Sequence, residues 1–135
     1  MKKLLAMLLA APFFSSCTST KSMKENVSLV GEWQVLTAYG VSTEEAATKP
    51  FIEFQDSSKM HGNAGVNNFT GIYTLTSDSS LSFGNMGMTR MMGPNMHIED
   101  AVVKALNSAK SIQSKGDVIV ILDADGVEAM QIKKK

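Results

Sequence analysis

A single cysteine, Cys17, stands in the whole chain, so no disulfide can form within it and stability must come from packing and hydrogen bonds. Histidine is nearly as scarce: His61 and His97 are the two present. No other side chain ordinarily titrates between pH 5 and 8, which leaves little material for acid–base catalysis. Neither sign of charge is in excess, since 13 Lys+Arg face 13 Asp+Glu; the clustered cations of a nucleic-acid interface are missing. The apolar run from Leu4 to Phe14 falls short of the ~20 residues that span a bilayer as a helix. No G-x-S-x-G occurs, no histidine pair has metal-ligand spacing, and Gly62-x-x-Gly65 is not followed by the lysine of a phosphate loop. A hydrolase built on His61 and one of the many serines is a distant alternative. The expectation is therefore no enzyme and no cofactor. A chain of 135 residues supports one domain with one modest core.

What is present begins with a processed terminus. Lys2 and Lys3 precede the apolar run, and Ser15, Ser16 and Cys17 follow it: a charged segment, a short hydrophobic segment and small residues before a cleavage point. The arrangement resembles the lipobox of bacterial lipoproteins, with Phe14 where that motif usually has leucine. The resemblance implies a signal peptide over 1–16 and lipidation of Cys17, which becomes the first residue of the mature protein. Thr18 and Ser19 are not the aspartate of inner-membrane retention, so the expected location is the cell envelope, anchored in the outer membrane and facing the periplasm. Loss of Lys2 and Lys3 leaves thirteen acidic residues against eleven basic ones, a net charge of −2. Residues 17–28, rich in Ser, Thr, Lys, Glu and Asn, read as a flexible tether. Lys133, Lys134 and Lys135 read as a solvated tail.

From Leu29 the pattern is that of short strands. Glu32 to Tyr39 alternates, with Trp33 and Val35 on one face and Trp33 as a core anchor. Gly40 to Pro50 is polar and crosses the surface to a strand at Phe51-Ile52-Glu53-Phe54, and Lys59-Met60-His61 leads into a glycine- and asparagine-rich loop. Phe69 to Leu75 and Leu81-Ser82-Phe83 form a hairpin across Ser77-Asp78-Ser79-Ser80. Ile98, Ala101, Val102, Ala105, Leu106 and Ala109 then recur at spacings of three and four, the apolar stripe of one amphipathic helix. Pro94 and Asn95 supply its start, and Glu99 and Asp100 suit the positive end of its dipole. Three strands follow: Ser111 to Gln113, Asp117 to Leu122, and Val127 to Ile132, the last two turning at Asp125-Gly126. The expected fold is α+β: a curved, mostly antiparallel sheet of about eight short strands with one helix packed across it.

The stretch Met60 to Asn95 carries the identifying pattern. Gly62, Gly65, Asn67, Phe69, Gly71 and Tyr73 spell G-x-x-G-x-N-x-F-x-G-x-Y, and Thr89-x-Met91 follows. Glycine and asparagine tolerate positive φ, so tight corners are expected at Gly62, Gly65 and Gly71. With Leu29-x-Gly31-x-Trp33-x-Val35 before it and Glu99 opening the helix after it, the pattern resembles the META domain family, which includes HslJ-like heat-shock lipoproteins. The likeness covers 29–135. It implies a lipid-anchored envelope protein acting in stress tolerance or as a binding module, a monomer whose partners are the membrane and an envelope protein, with no nucleic acid. Members often carry cysteines where this chain has Val66 and Gly93; the two positions depart together.

Two local chemistries remain open. Met86, Met88, Met91, Met92 and Met96 crowd into eleven residues before His97; thioethers suit Cu(I) or Ag(I), and methionine is also a flexible core filler. Met86, Met88, Met92, Met96 and His97 are the alternative soft-metal ligands, and an irregularity at Gly87 would spread the methionines over mixed faces. The asparagines Asn63, Asn67 and Asn68 either fix the loop by side-chain to backbone hydrogen bonds or join Arg90, Phe69 and Tyr73 in a polar recognition surface.

Overall fold

The computed structural model describes residues 27–135; the signal segment, Cys17 and most of the tether lie outside the described residues. In chain order the elements are β1 (Gly31–Ala38), β2 (Val41–Ser42), β3 (Phe51–Phe54), β4 (Lys59–Asn63), β5 (Asn68–Leu75), β6 (Leu81–Met88), α1 (Met96–Ser108), β7 (Ser111–Lys115), β8 (Val118–Leu122) and β9 (Glu128–Lys134). Eight strands form one antiparallel path, β6-β5-β4-β3-β1-β9-β8-β7, and β2 folds back on β1. The sheet curls into a half-barrel whose two edges touch at one corner. There Ser80 bridges Ser111, the Leu81 N–H donates to the Lys110 carbonyl and the Ile112 N–H to the Ser79 carbonyl, both at 2.9 Å. Helix α1 joins those edges and lays Ile98, Val102, Ala105 and Leu106 onto β1 and β9. This is the α+β architecture expected from the sequence.

Alternation sends Trp33, Val35, Ile52, Phe54, Met60 and Phe69 into the concave face. Two extra residues shift the parity. In β1 the register with β9 slips between Val35 and Thr37, so the next buried position is Ala38 rather than Thr37. In β6, Thr70 opposes Gly87 while Ile72 opposes Gly84, and Asn85 takes a φ of 48°. This β-bulge, at Asn85 and not at Gly87, turns Met86 and Met88 to the same inward side as Leu81 and Phe83. The methionines of β6 therefore share one face, contrary to the mixed faces read from the sequence.

The signature glycines divide by role. Gly65 alone among Gly62, Gly65 and Gly71 has a positive φ, of 131°. Gly62 lies inside β4, where a Cβ would stand 2.0 Å from the Phe51 carbonyl oxygen and 2.8 Å from the Phe69 ring. At Gly71 a Cβ would crowd the Gly84 carbonyl oxygen at 3.0 Å and Met86 at 3.1 Å. These two glycines are needed for close backbone approach rather than for a corner. Strand β4 thus continues past His61, and β6 runs on from Phe83 to Met88. Thr43, read as part of a surface crossing, is buried, with its hydroxyl donating to the Val35 carbonyl at 2.6 Å. Asn95 sits before α1 at a φ of 57° without capping it; its amide donates to the Glu45 carbonyl at 2.5 Å and ties the helix start to that crossing. At the last hairpin Gly126, not Asp125, has the positive φ, and the Asp123 carboxylate accepts from the Asp125 and Val127 N–H groups.

Gly62→Ala and Gly116→Ala separate crowding from backbone preference. Gly116 has a φ of 62° and open space around it, so its replacement should cost about 1–2 kcal/mol. Gly62→Ala forces atoms apart and should cost more than about 3 kcal/mol. Urea denaturation of both variants measures the difference, and equal losses would refute the assignment of Gly62 to close approach.

Candidate functional site

A buried carboxylate lies where the signature loop meets the helix. Glu99, on the first turn of α1, is only 3% exposed. Its Oε1 accepts the backbone N–H of Val66 at 3.1 Å and of Asn67 at 2.6 Å, and its Oε2 accepts the Asn67 side-chain amide at 2.7 Å. These N–H donors, with the positive end of the helix dipole, stand in for the water that the group has lost. Asn67, 2% exposed, is saturated as well. Its Nδ2 also donates to the Met91 carbonyl at 2.9 Å, while its Oδ1 accepts from the Thr89 hydroxyl at 3.0 Å and from the Met91 N–H at 2.6 Å. The Thr89 oxygen in turn accepts the Asn68 N–H at 3.1 Å. Loop, helix and the segment after β6 are joined through these two side chains.

The remaining signature residues serve the same frame. Asn63 is buried; its Oδ1 accepts the Gly65 N–H at 2.7 Å and its amide donates to the Asn68 side chain at 3.0 Å. The Gly65 carbonyl accepts the Thr48 N–H at 2.9 Å. Phe69 is in the core, and Tyr73 packs edge-on against Phe54 at 4.8 Å. The Tyr73 hydroxyl donates to the Gln55 carbonyl at 2.7 Å, and burial, followed by the Asp56 carboxylate, raises its pKa above the ordinary phenol value. Of the residues that could have made a recognition surface, only Asn68 and Arg90 face solvent. His61 projects from the outer face of β4, its Nε2 2.9 Å from the Glu53 carboxylate.

Beside the polar frame runs a cleft of about 420 Å³ between the segment 88–92 and α1. Four methionines line it: Met88, Met91, Met92 and Met96. Met91 is 57% and Met92 86% exposed. Met86 and His97, grouped with them on sequence, are not among its lining residues; Met86 packs beside Gly71, and His97 is exposed elsewhere on α1. The part of Glu99 in the frame is not legible in the sequence, where it is a helix-start acid, and the same holds for Asp100, Val103, Lys104 and Asn107 of the cleft. The loop partners of Glu99 are 32 and 33 positions away, and no local pattern announces a contact at that distance.

Val66 and Gly93, the two departures from the signature, face each other across the rim. A Cβ on Gly93 would lie 2.9 Å from Cγ1 and 3.5 Å from Cβ of Val66.

Comparison with known proteins places these features in context. The model of the META domain family matches residues 26–135. An NMR structure of a Burkholderia xenovorans protein is 20% identical, with 100% of this chain and 99% of that one covered and a TM-score of 0.59. The crystal structure of a DUF4847 family protein from Bacteroides vulgatus is 14% identical over 82% of this chain and 96% of that one, with a TM-score of 0.58. A further NMR structure is 18% identical over 78% and 89%, with a TM-score of 0.62. At such identities these structures share the fold. Comparison with curated proteins gives no match.

Two sets of variants test the frame. Asn67→Asp keeps the shape but replaces a donor by a carboxylate facing Glu99, and should cost about 3 kcal/mol or more at pH 7. Asn68→Asp, exposed, should stay within about 1 kcal/mol. Val66→Cys with Gly93→Cys should form a disulfide, since a Cβ separation of 3.5 Å is within the bonding range. The oxidised form should gain up to about 3–4 kcal/mol over the reduced one, read as a higher melting temperature lost on adding reductant.

Proposed function

The chain belongs to the META domain family, and on that premise we propose that it is a non-enzymatic binding or interaction module of the cell envelope, held by lipid on Cys17 and contributing to envelope stress tolerance. The observation that carries the reading is the cleft beside α1. Its polar frame is internally satisfied, so Glu99, Asn67 and Thr89 are committed to holding shape. Its free surface combines the thioethers of Met88, Met91, Met92 and Met96, which bind but do not transfer protons, with the exposed side chains of Arg90, Asp100, Lys104 and Asn107. Catalysis asks for a group poised to exchange a proton or attack a carbon, and Glu99, Asn67 and Thr89, the polar frame of this cleft, are already bonded to one another.

Anchoring is supported by the sequence alone, through the signal segment and Cys17. A monomer tethered to the outer membrane and facing the periplasm would present the cleft to other envelope proteins. Stress tolerance rests on likeness to the heat-shock lipoproteins of the family.

Labelling of growing cells with radioactive palmitate tests the anchor: the protein should carry label, and Cys17→Ser should abolish it. A photo-crosslinking amino acid at position 92 tests the module, and an envelope protein should be captured there and not from an equivalent substitution at exposed Lys115. An unlabelled protein defeats the anchoring half, and indistinguishable capture at the two positions defeats the assignment of the cleft.

A further inference from the structure

Large apolar side chains are normally withdrawn from water, yet Met91 and Met92 stand out of the fold side by side. Packing does not account for them. Both line the same cleft as the half-buried Met88 and Met96, although the four come from two different walls, the end of β6 with the segment that follows it, and the first turn of α1. The bulge at Asn85 is what gives Met88 its inward parity, and the bonds from Asn67 to both backbone groups of Met91 fix the next part of the wall. Rigid backbone thus presents four flexible thioethers to one volume.

We propose that this cleft is a binding site for one soft monovalent metal ion, Cu(I) or Ag(I), held by the sulfurs of Met88, Met91, Met92 and Met96. The assignment rests on the reading of the cleft as a binding site and names its ligand class. Uncharged thioethers select soft ions over zinc, magnesium or calcium, which need imidazole, thiolate or oxygen donors. The buried carboxylate beside the cleft does not compete. Both carboxylate oxygens of Glu99 are taken by the loop, and among the described residues no three His, Cys, Asp or Glu side chains gather as a metal site. Two cations line the cleft: Lys104 is drawn aside, its Nζ 4.5 Å from the centre of the Tyr39 ring, and Arg90 is exposed to solvent. The exposed Asp100 on the rim brings a negative charge to set against the ion. The three rotatable bonds of each methionine let the sulfurs converge without moving backbone.

The test is anaerobic titration of the full chain in detergent with Cu(I), against a chromogenic Cu(I) chelator of known affinity. Wild type should withhold one equivalent. Replacing all four methionines by leucine conserves volume, and should lower affinity at least about 100-fold, beyond what outer-sphere partners are worth, with circular dichroism unchanged. Met86→Leu with His97→Ala should bind as wild type. If the fourfold variant does not fold, Met91→Leu and Met92→Leu at exposed positions replace it, each expected to weaken binding about tenfold. X-ray absorption of the copper-loaded protein should show sulfur neighbours alone. Equal affinity in wild type and the methionine variants, nitrogen in the copper shell, or release of all copper to the chelator overturns the site. Failure here with crosslinking at position 92 intact leaves the interaction module standing, whereas bound copper without a crosslink removes the protein partner and keeps the ion.

Discussion

The carboxylate of Glu99 is the group on which the shape of this molecule turns. Taking an isolated carboxylate out of water costs several kcal/mol even after relaxation, and among the described residues no cation bonds to it. The compensation is distributed: two backbone N–H groups of the loop, one amide N–H of Asn67 and the start of the helix. Each donor has the same need in reverse, because a buried N–H without an acceptor is itself costly. Among the described residues no buried side-chain polar atom is left without a partner. The signature loop therefore has one arrangement, and it is reached only when α1 is docked on the sheet.

That mutual dependence explains the contrast between the cleft and its contents. The walls are held by Asn67, which uses every donor and acceptor of its amide to join loop, helix and the segment after β6. Among the side chains that face into the space are four unbranched thioethers, two of them, Met91 and Met92, largely exposed. A surface of this type has a fixed position and an adaptable lining.

Much of this was legible in the sequence, and the parts that were not share a physical cause. Strand alternation around Trp33 and Phe54, and the stripe from Ile98 to Leu106, follow from residue periodicity, which is local. The signature residues marked the loop, and its asparagines act through side-chain hydrogen bonds. The sequence suggests corners at Gly62 and Gly71 because it reports what a residue permits, whereas their neighbours Phe51 and Gly84 belong to other strands. The bulge at Asn85 escaped for a related reason: the extra residue is defined by the register with β5, and asparagine in a strand does not state which side it will displace. Glu99 was ambiguous since a helix-start acid is equally welcome in water. Pairing across the fold decides each of these cases, and pairing is what a single sequence leaves implicit.

The place of β9 in the sheet has a bearing on how the chain is made. It pairs with β1 on one side and with β8 on the other, so the seam at the middle of the sheet joins the first strand to the last. A ribosome delivers β1 well before β9. Until β9 emerges, the two parts of the sheet, β1 to β6 and β7 to β8, lack the strand that pairs with both, and the edge of β1 lies open. The sheet cannot close until β9 has arrived, so its central seam is a contact between strands far apart in sequence and forms late.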